Sequence, residues 1–419
     1  MKSKLIAATI ACCAVIYWIA GCTKDTTKEQ YSFYTPVYQE RETVYKNIQT
    51  SAPTPINRTG KLVVKGNYIF LNEPDRGIHI IDYSNPAQPK NIGFINIPGN
   101  REASIQGNYL YADCYTDLTV TDISDPQHVQ LKKVVNNAFG QRFYSNAFIN
   151  DSSKIIVDWV RHDTTIERRF SDVYKNPTGL VYYVTDNPMS FASASSSGGG
   201  SSSGVNGSMS AFALLKNRLY TCRYGNFMVY NLSNATDPAY VGSAPIASNI
   251  ETIFPFGDNL FLGATTGMYI YNTADPDHPA AAGMFGHVRS CDPVVADEKT
   301  AYVTLHTNTR CQGNVNELNI IDITDIHHPG TPVTLSMTSP KGLSKTGNLL
   351  LVCDGNVKIY DVTKPASPSL ISQVSVPDSY DIVTIGHTAI TATDKGLYFI
   401  DFTTPASAKV LASIPILNQ

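Results

Sequence analysis

An aspartate or asparagine closes a short apolar stretch again and again along the chain. Asp82, Asp122, Asn231, Asn272, Asp322, Asp361 and Asp401 end segments such as Gly-Ile-His-Ile-Ile-Asp, Phe-Met-Val-Tyr-Asn and Leu-Tyr-Phe-Ile-Asp. Most of these positions lie roughly 40 residues apart, the spacing of units that hold several short strands. A unit of that size cannot bury both faces of its own sheet, so it must stack against its neighbours. The recurrence therefore predicts an all-β fold, a β-propeller.

The first copy shows the grammar. Leu62 to Lys65 reads as a strand, and Gly66-Asn67 supplies a turn with positive φ. Tyr68 to Leu71, Ile78 to Asp82 and Ile92 to Ile95 read as three more strands, with Pro86 ending the third because proline cannot donate to a ladder. The step from Asp122 to Asn231 is much longer than one period. It predicts a degenerate copy, with Ala147–Asn150 and Lys154–Trp159 as its first two strands and Thr165–Phe170 or Leu180–Tyr183 as its third. The count favours eight four-stranded blades over seven, in a closed ring.

The N-terminus reads as a targeting segment. Lys2 and Lys4 precede an apolar run that ends Ile19-Ala20-Gly21-Cys22, which resembles a bacterial lipobox with Cys22 as the lipidated residue. Residues 1–21 are then the signal peptide, and 22–59 a lipidated tether and N-terminal cap. Residues 60–419 make one propeller domain with a flexible Ser/Gly-rich insertion near 187–208. More than one acyl chain would anchor the protein stably to a membrane. A net charge of −3 without a basic cluster argues against nucleic acid as a partner. The 24 tyrosines and 42% hydrophobic residues suit a β-rich ectodomain.

Beyond Cys22 the cysteines are Cys114, Cys222, Cys291, Cys311 and Cys353, an odd number. Cys291 and Cys311 share one repeat and are the candidate disulfide, while the other three suit burial as small apolar side chains. Neither the cysteines nor the nine histidines show metal-ligand spacing, so no metal or cofactor is expected.

The segments Gly77 to Pro89 and Leu118 to Pro126 resemble the LVIVD repeat, named from its third strand and following aspartate. Together with the lipobox, the chain looks like an LVIVD-repeat lipoprotein of Bacteroidota. The resemblance implies a propeller at the cell envelope, on an outer-membrane lipoprotein of either face. It implies no catalytic residues, so none is carried over.

The repeated aspartates read as turn-forming groups whose carboxylates accept from the backbone of the following Ser/Thr-x-Pro. The candidate ligand-binding rim lies instead on the loops leading into each first strand and on those joining second to third strands. The former carry Asn100, Arg101, Glu102, Arg142, Glu251, Arg289, Asp292, Lys341 and Asp381. The latter carry Asp113, Tyr115, Asp117, Arg223 and Tyr224. Mixed charge and aromatic faces on a concave rim suit a small polar or glycan ligand.

Three functions stay open. The first is an envelope module that binds a protein or glycan partner. The second is a glycan hydrolase or lyase using two of Glu102, Glu251, Asp292 and Asp381, at separations of roughly 5–9.5 Å. The third is a structural part of an envelope complex.

Overall fold

The computed structural model describes residues 26–140, 151, 153–169, 204–223, 226–245, 250–287, 293–307 and 315–417. Two compact units contain them: residues 26–37 and 159–169 fall in a small one, the rest in the propeller.

The strands form where the repeat grammar places them. The first sheet runs Leu62–Lys65, Tyr68–Glu73, Gly77–Asp82, Lys90–Asn96, antiparallel throughout. Gly66, Gly107, Gly257, Gly347 and Gly386 all take φ between 52° and 58° at the first hairpin turn, a conformation L side chains resist. The second sheet spans Ala103–Gln106 to Gln130–Val135. The third spans Phe212–Leu215 to Ala239–Pro245, the fourth Ile250–Phe256 to Ala280–Gly286 and the fifth Val294–Ala296 to Val333–Ser336.

The expected count of eight blades, or seven, is corrected: among the described residues, six hydrogen-bonded sheets make up the propeller. Four have four strands. The first has six, because Val205–Asn206 joins its inner edge and Thr50–Ser51 its outer edge. The last also has six, because it carries the Asp361 and Asp401 repeats in one ladder. Its strands Leu349–Asp361 and Ser369–Ile385 each run through what would be a break between strands. In the first copy a loop separates the second and third strands. Here Gly355, at φ 73°, lets the chain turn within one continuous strand, and Gly355 pairs with Ser379.

Among the described residues the degenerate copy forms no blade either. Lys154–Arg169 is one long strand paired with Thr26–Glu40 in a two-stranded ribbon. Within the small unit, Phe33 stacks on His162 at 4.9 Å, and Arg161 donates to both Asp163 and Ser32 at 2.9 Å. Residues 165–169 of the expected third strand belong to this same strand, while Ala147–Asn150 and Leu180–Tyr183 lie outside the described residues.

The core lies between neighbouring sheets. Tyr111 and Val120 of the second sheet share a cluster with Phe212 and Leu219 of the third. Tyr220 of the third meets Leu260 of the fourth, and Val295 and Tyr302 of the fifth meet Leu343 and Leu350 of the sixth. Leu62 and Val64 of the first sheet pack with Val383 and Ile390 of the last, so the beginning and end of the repeat region touch. The segment ahead of the first sheet reinforces that contact: Ile56 joins the cluster, and its carbonyl accepts from the Leu417 N–H at 3.0 Å.

Each repeated Asp or Asn accepts a hydrogen bond from the backbone N–H two residues on. The distance is 2.9 Å for Asp82 to Ser84, 3.0 Å for Asp122 to Ser124 and 2.8 Å for Asn231 to Ser233. It is 2.8 Å for Asn272, Asp322, Asp361 and Asp401. These side chains build turns, as turn chemistry requires.

Candidate functional site

The loops leading into the first strands of the first, second and last repeats converge around the first sheet. Asn100 and Asp113 form the frame. Asn72 Nδ2 donates to Asn100 Oδ1 at 2.6 Å, and Asn100 Nδ2 donates to Asp113 Oδ1 at 3.0 Å. The same Asp113 oxygen accepts the Arg101 and Glu102 N–H groups at 2.7 and 2.8 Å. Buried backbone donors are thereby satisfied, and Arg101 and Glu102 are fixed in direction.

Arg101 grips Asp75 with two donors, Nε at 2.9 Å and Nη2 at 2.7 Å. Glu102 pairs with Lys61, both nearly buried, and accepts the Ala211 N–H at 3.1 Å. Arg76 donates to Glu73 at 2.6 Å, and His79 Nε2 lies 2.7 Å from the other Glu73 oxygen. Burial alone would raise the Glu73 carboxyl, but the hydrogen bonds from His79 and Arg76 hold it below its ordinary value.

The middle of the propeller is filled by residues 204–211. The Gly204 N–H donates to Ile105 O at 2.7 Å, and the Gly207 N–H to Leu62 O at 2.9 Å. Ser208 Oγ accepts the Leu343 N–H at 2.6 Å, and Ser210 O accepts the Ile253 N–H at 2.8 Å. These partners sit on or beside the first strands of the first, second, fourth and sixth sheets. Asp381 lies against this segment, where a Cβ at Gly207 would overlap its carboxylate. Asp381 is 1% exposed and Glu102 8%. Burial pushes the Asp381 carboxyl up to about 8, against a hydrogen bond from the Ile382 N–H and the field of Lys61.

Several rim candidates serve the fold instead. Asp117 is buried and accepts from Arg41 and Tyr45 of the helix Arg41–Lys46, and from the Asn137 N–H at 2.8 Å. Tyr115, with φ 56°, lies so close to Gly99 that any Cβ there would overlap its ring. Lys341 contributes its carbonyl to Thr304 at 2.6 Å, and Glu251 sits at a register shift in Ile250–Phe256. Arg223 ends the strand Arg218–Arg223. Cys22, Arg142, Tyr224, Arg289, Cys291, Asp292 and Cys311 lie outside the described residues. Cys114, Cys222 and Cys353 are buried thiols.

Sequence reasoning missed Arg58, Lys61, Asp75 and Tyr380. A signal was present. Residues 58–61 lead into the first strand of the first copy as Arg101-Glu102 leads into that of the second, but Arg58 falls in the segment 22–59 that reads as tether and cap.

The LVIVD repeat model matches residues 58–96 and 101–137, the spans of the first and second sheets. The chain is thus a β-propeller that carries LVIVD repeats. No curated protein matches it. Its fold is similar to that of the periplasmic gluconolactonase PpgL of Pseudomonas aeruginosa, with a TM-score of 0.55 at 11% identity over 85% of this chain and 96% of that one. A protein from Lactobacillus plantarum matches with a TM-score of 0.53 at 10% identity, over 86% and 97%. Identities this low carry the fold alone.

Proposed function

We propose that this propeller is a binding module for a glycan or protein partner, held at the cell envelope by a lipid on Cys22. The observation that carries the reading is residues 204–211 occupying the middle of the propeller, with Glu102 and Asp381 buried beneath. A glycosidase needs two carboxylates facing its substrate. Here Glu102 is spent on Lys61 and Ala211, and Asp381 is closed off by Gly207. Beside the buried Asn100–Asp113 frame, the partly exposed side chains of Arg76, Arg101 and Asp75 offer a polar surface of the kind that recognises a ligand. The lipid anchor, the envelope location and the membrane as a partner rest on the lipobox at Ile19 to Cys22.

The test is a glycan array and an envelope pull-down with the detergent-solubilised full chain, together with radiolabelled palmitate incorporation. Binding that is lost in Arg101→Ala, and label that is lost in Cys22→Ala, are the expected results. A blank array with no captured partner would remove the binding reading. Hydrolysis of any arrayed glycan, abolished by Asp381→Asn, would replace it with the enzyme reading.

A further inference from the structure

Residues 49–55 cross the outer edge of the first sheet as a strap between Ile48 and Ile56, which are both buried. Thr50 and Ser51 pair with Ile95 and Phe94, and Ser51 Oγ donates to Phe94 O at 3.0 Å. Thr50 Oγ1 accepts the Val129 N–H of the second repeat at 3.2 Å. A further tie is Asn91, whose Nδ2 donates to Thr54 O at 2.8 Å. The same nitrogen lies 3.3 Å from His79 Nδ1, and His79 Nε2 lies 2.7 Å from Glu73. His79 is 0% exposed and Glu73 1%. The strap is therefore wired to a buried imidazole.

These contacts fix where the imidazole carries its proton. A carbonyl only accepts, so the Asn91 atom facing Thr54 O is the amide nitrogen. Its other hydrogen faces His79 Nδ1, which is then the unprotonated ring nitrogen. The ring proton sits on Nε2 and is donated to Glu73. A second proton, on Nδ1, would set N–H against N–H. The Asn91 amide would have to turn over and offer Oδ1, which is buried and has no hydrogen-bond partner among the described residues. Turning it over takes the donor away from Thr54 O. Proton uptake at His79 and the Asn91–Thr54 bond therefore exclude each other. Burial would raise the Glu73 carboxyl, but the bonds from His79 and Arg76 hold it low, so an imidazolium finds its counter-ion already in place.

Other charged side chains surround this cluster. Arg76 donates to Glu73 at 2.6 Å and lies over the Phe94 ring, which packs against His79 at 4.8 Å. Arg58 lies in the field of Glu73. His128, next to Val129, is exposed and pairs with Asp125 at 2.7 Å. We propose that His79 is a proton-operated latch. In its neutral form it holds residues 49–55 on the first sheet through Asn91; once protonated it loosens them and uncovers the edge strand Lys90–Asn96. The latch goes beyond the binding role of the rim and does not depend on it.

The experiment is hydrogen–deuterium exchange of the full chain in detergent at about pH 7.5 and about pH 5.5, the range in which imidazoles change charge. Labelling times are scaled to the intrinsic amide rate at each pH. Protection of the amides in residues 49–54, and of the Val129 amide that donates to Thr50, should fall at least tenfold in acid. Amides of Tyr109–Cys114 should keep theirs. His79→Gln, neutral at both pH values, should remove the response. Asn91→Ala should show low protection already at the higher pH and no further loss, and it decides the matter if His79→Gln does not fold. His128→Gln should respond as the parent does. Equal protection at both pH values in the parent, a response that survives in Asn91→Ala or disappears in His128→Gln, or a matching loss in Tyr109–Cys114 overturns the latch.

Discussion

At the scale of single residues, the repeated acid is a turn element and its chemistry is interchangeable. Asn231 and Asn272 occupy the position that Asp82 holds in the first copy, and all three accept the same backbone bond. Asp82→Asn should therefore leave stability nearly unchanged, whereas Asp82→Ala loses the acceptor and costs about 0.5–1 kcal/mol by urea denaturation. The backbone bond from Ser84 holds the Asp82 carboxyl below its ordinary value. Its contribution is present above the unfolded pKa and is lost as pH falls through the folded one. Asp82→Asn should flatten that acid limb.

Asp381 has the opposite sign. Its folded pKa is raised to about 8, so the native state keeps a proton that the unfolded chain releases near pH 4. Stability should fall by about 1.4 kcal/mol per pH unit between those values. Asp381→Asn, which keeps the shape without the charge, should remove the slope. Thermal melts from pH 4 to 8 check it, and a slope unchanged in the variant would refute the assignment.

At the scale of elements, the segment 204–211 depends on the absence of a side chain at Gly207. There a methyl group would overlap the Asp381 carboxylate, and the Gly207 N–H donates to Leu62 O at 2.9 Å. Gly207→Ala should loosen the segment without unfolding the sheets. Amide exchange at Gly204 should accelerate at least tenfold, while amides of Tyr109–Cys114 keep their protection, as expected for local opening.

The strand Lys154–Arg169 shows why one element was misassigned. Ile155 and Ile156 are buried, and their β-forming sequence was legible. Its partner was not. Thr26–Glu40 lies in the segment read as tether and cap, its aromatic stretch Tyr31 to Tyr38 marks it as a docking piece without saying where, and it pairs with Lys154–Arg169 from more than a hundred residues away. Strand propensity says that a segment will pair, never with what.

At the scale of the molecule, the two ends of the repeat region are locked together by polar contacts as well as by apolar packing. The Tyr380 hydroxyl donates to the Thr59 carbonyl, Thr59 Oγ1 reaches Thr393 O, and the Leu417 N–H meets Ile56 O. Tyr380→Phe leaves the ring in place but strips a part-buried carbonyl of its donor. It should destabilise the whole propeller by about 1–3 kcal/mol in denaturant unfolding, as a single cooperative loss. Unfolding that splits into separate transitions, or no loss at all, would show that the two ends do not act as one unit.

What the chain determined by itself is the repeat: four antiparallel strands, a glycine at the first hairpin, an Asp or Asn turn after the third strand, and an apolar face too large for one sheet to bury. These are local rules, written within each period, so they survive without knowledge of neighbours. The tertiary structure decided what depends on distant partners. It put seven repeats into six sheets, because the strand Ser369–Ile385 runs on from the fourth strand of one repeat into the first strand of the next. It placed residues 204–211 in the middle, because inner strands from four sheets offer backbone partners there. It also brought Arg58 into the fields of Asp75, Arg101 and Glu73. A charge balance is a sum over residues that only folding brings within reach of one another.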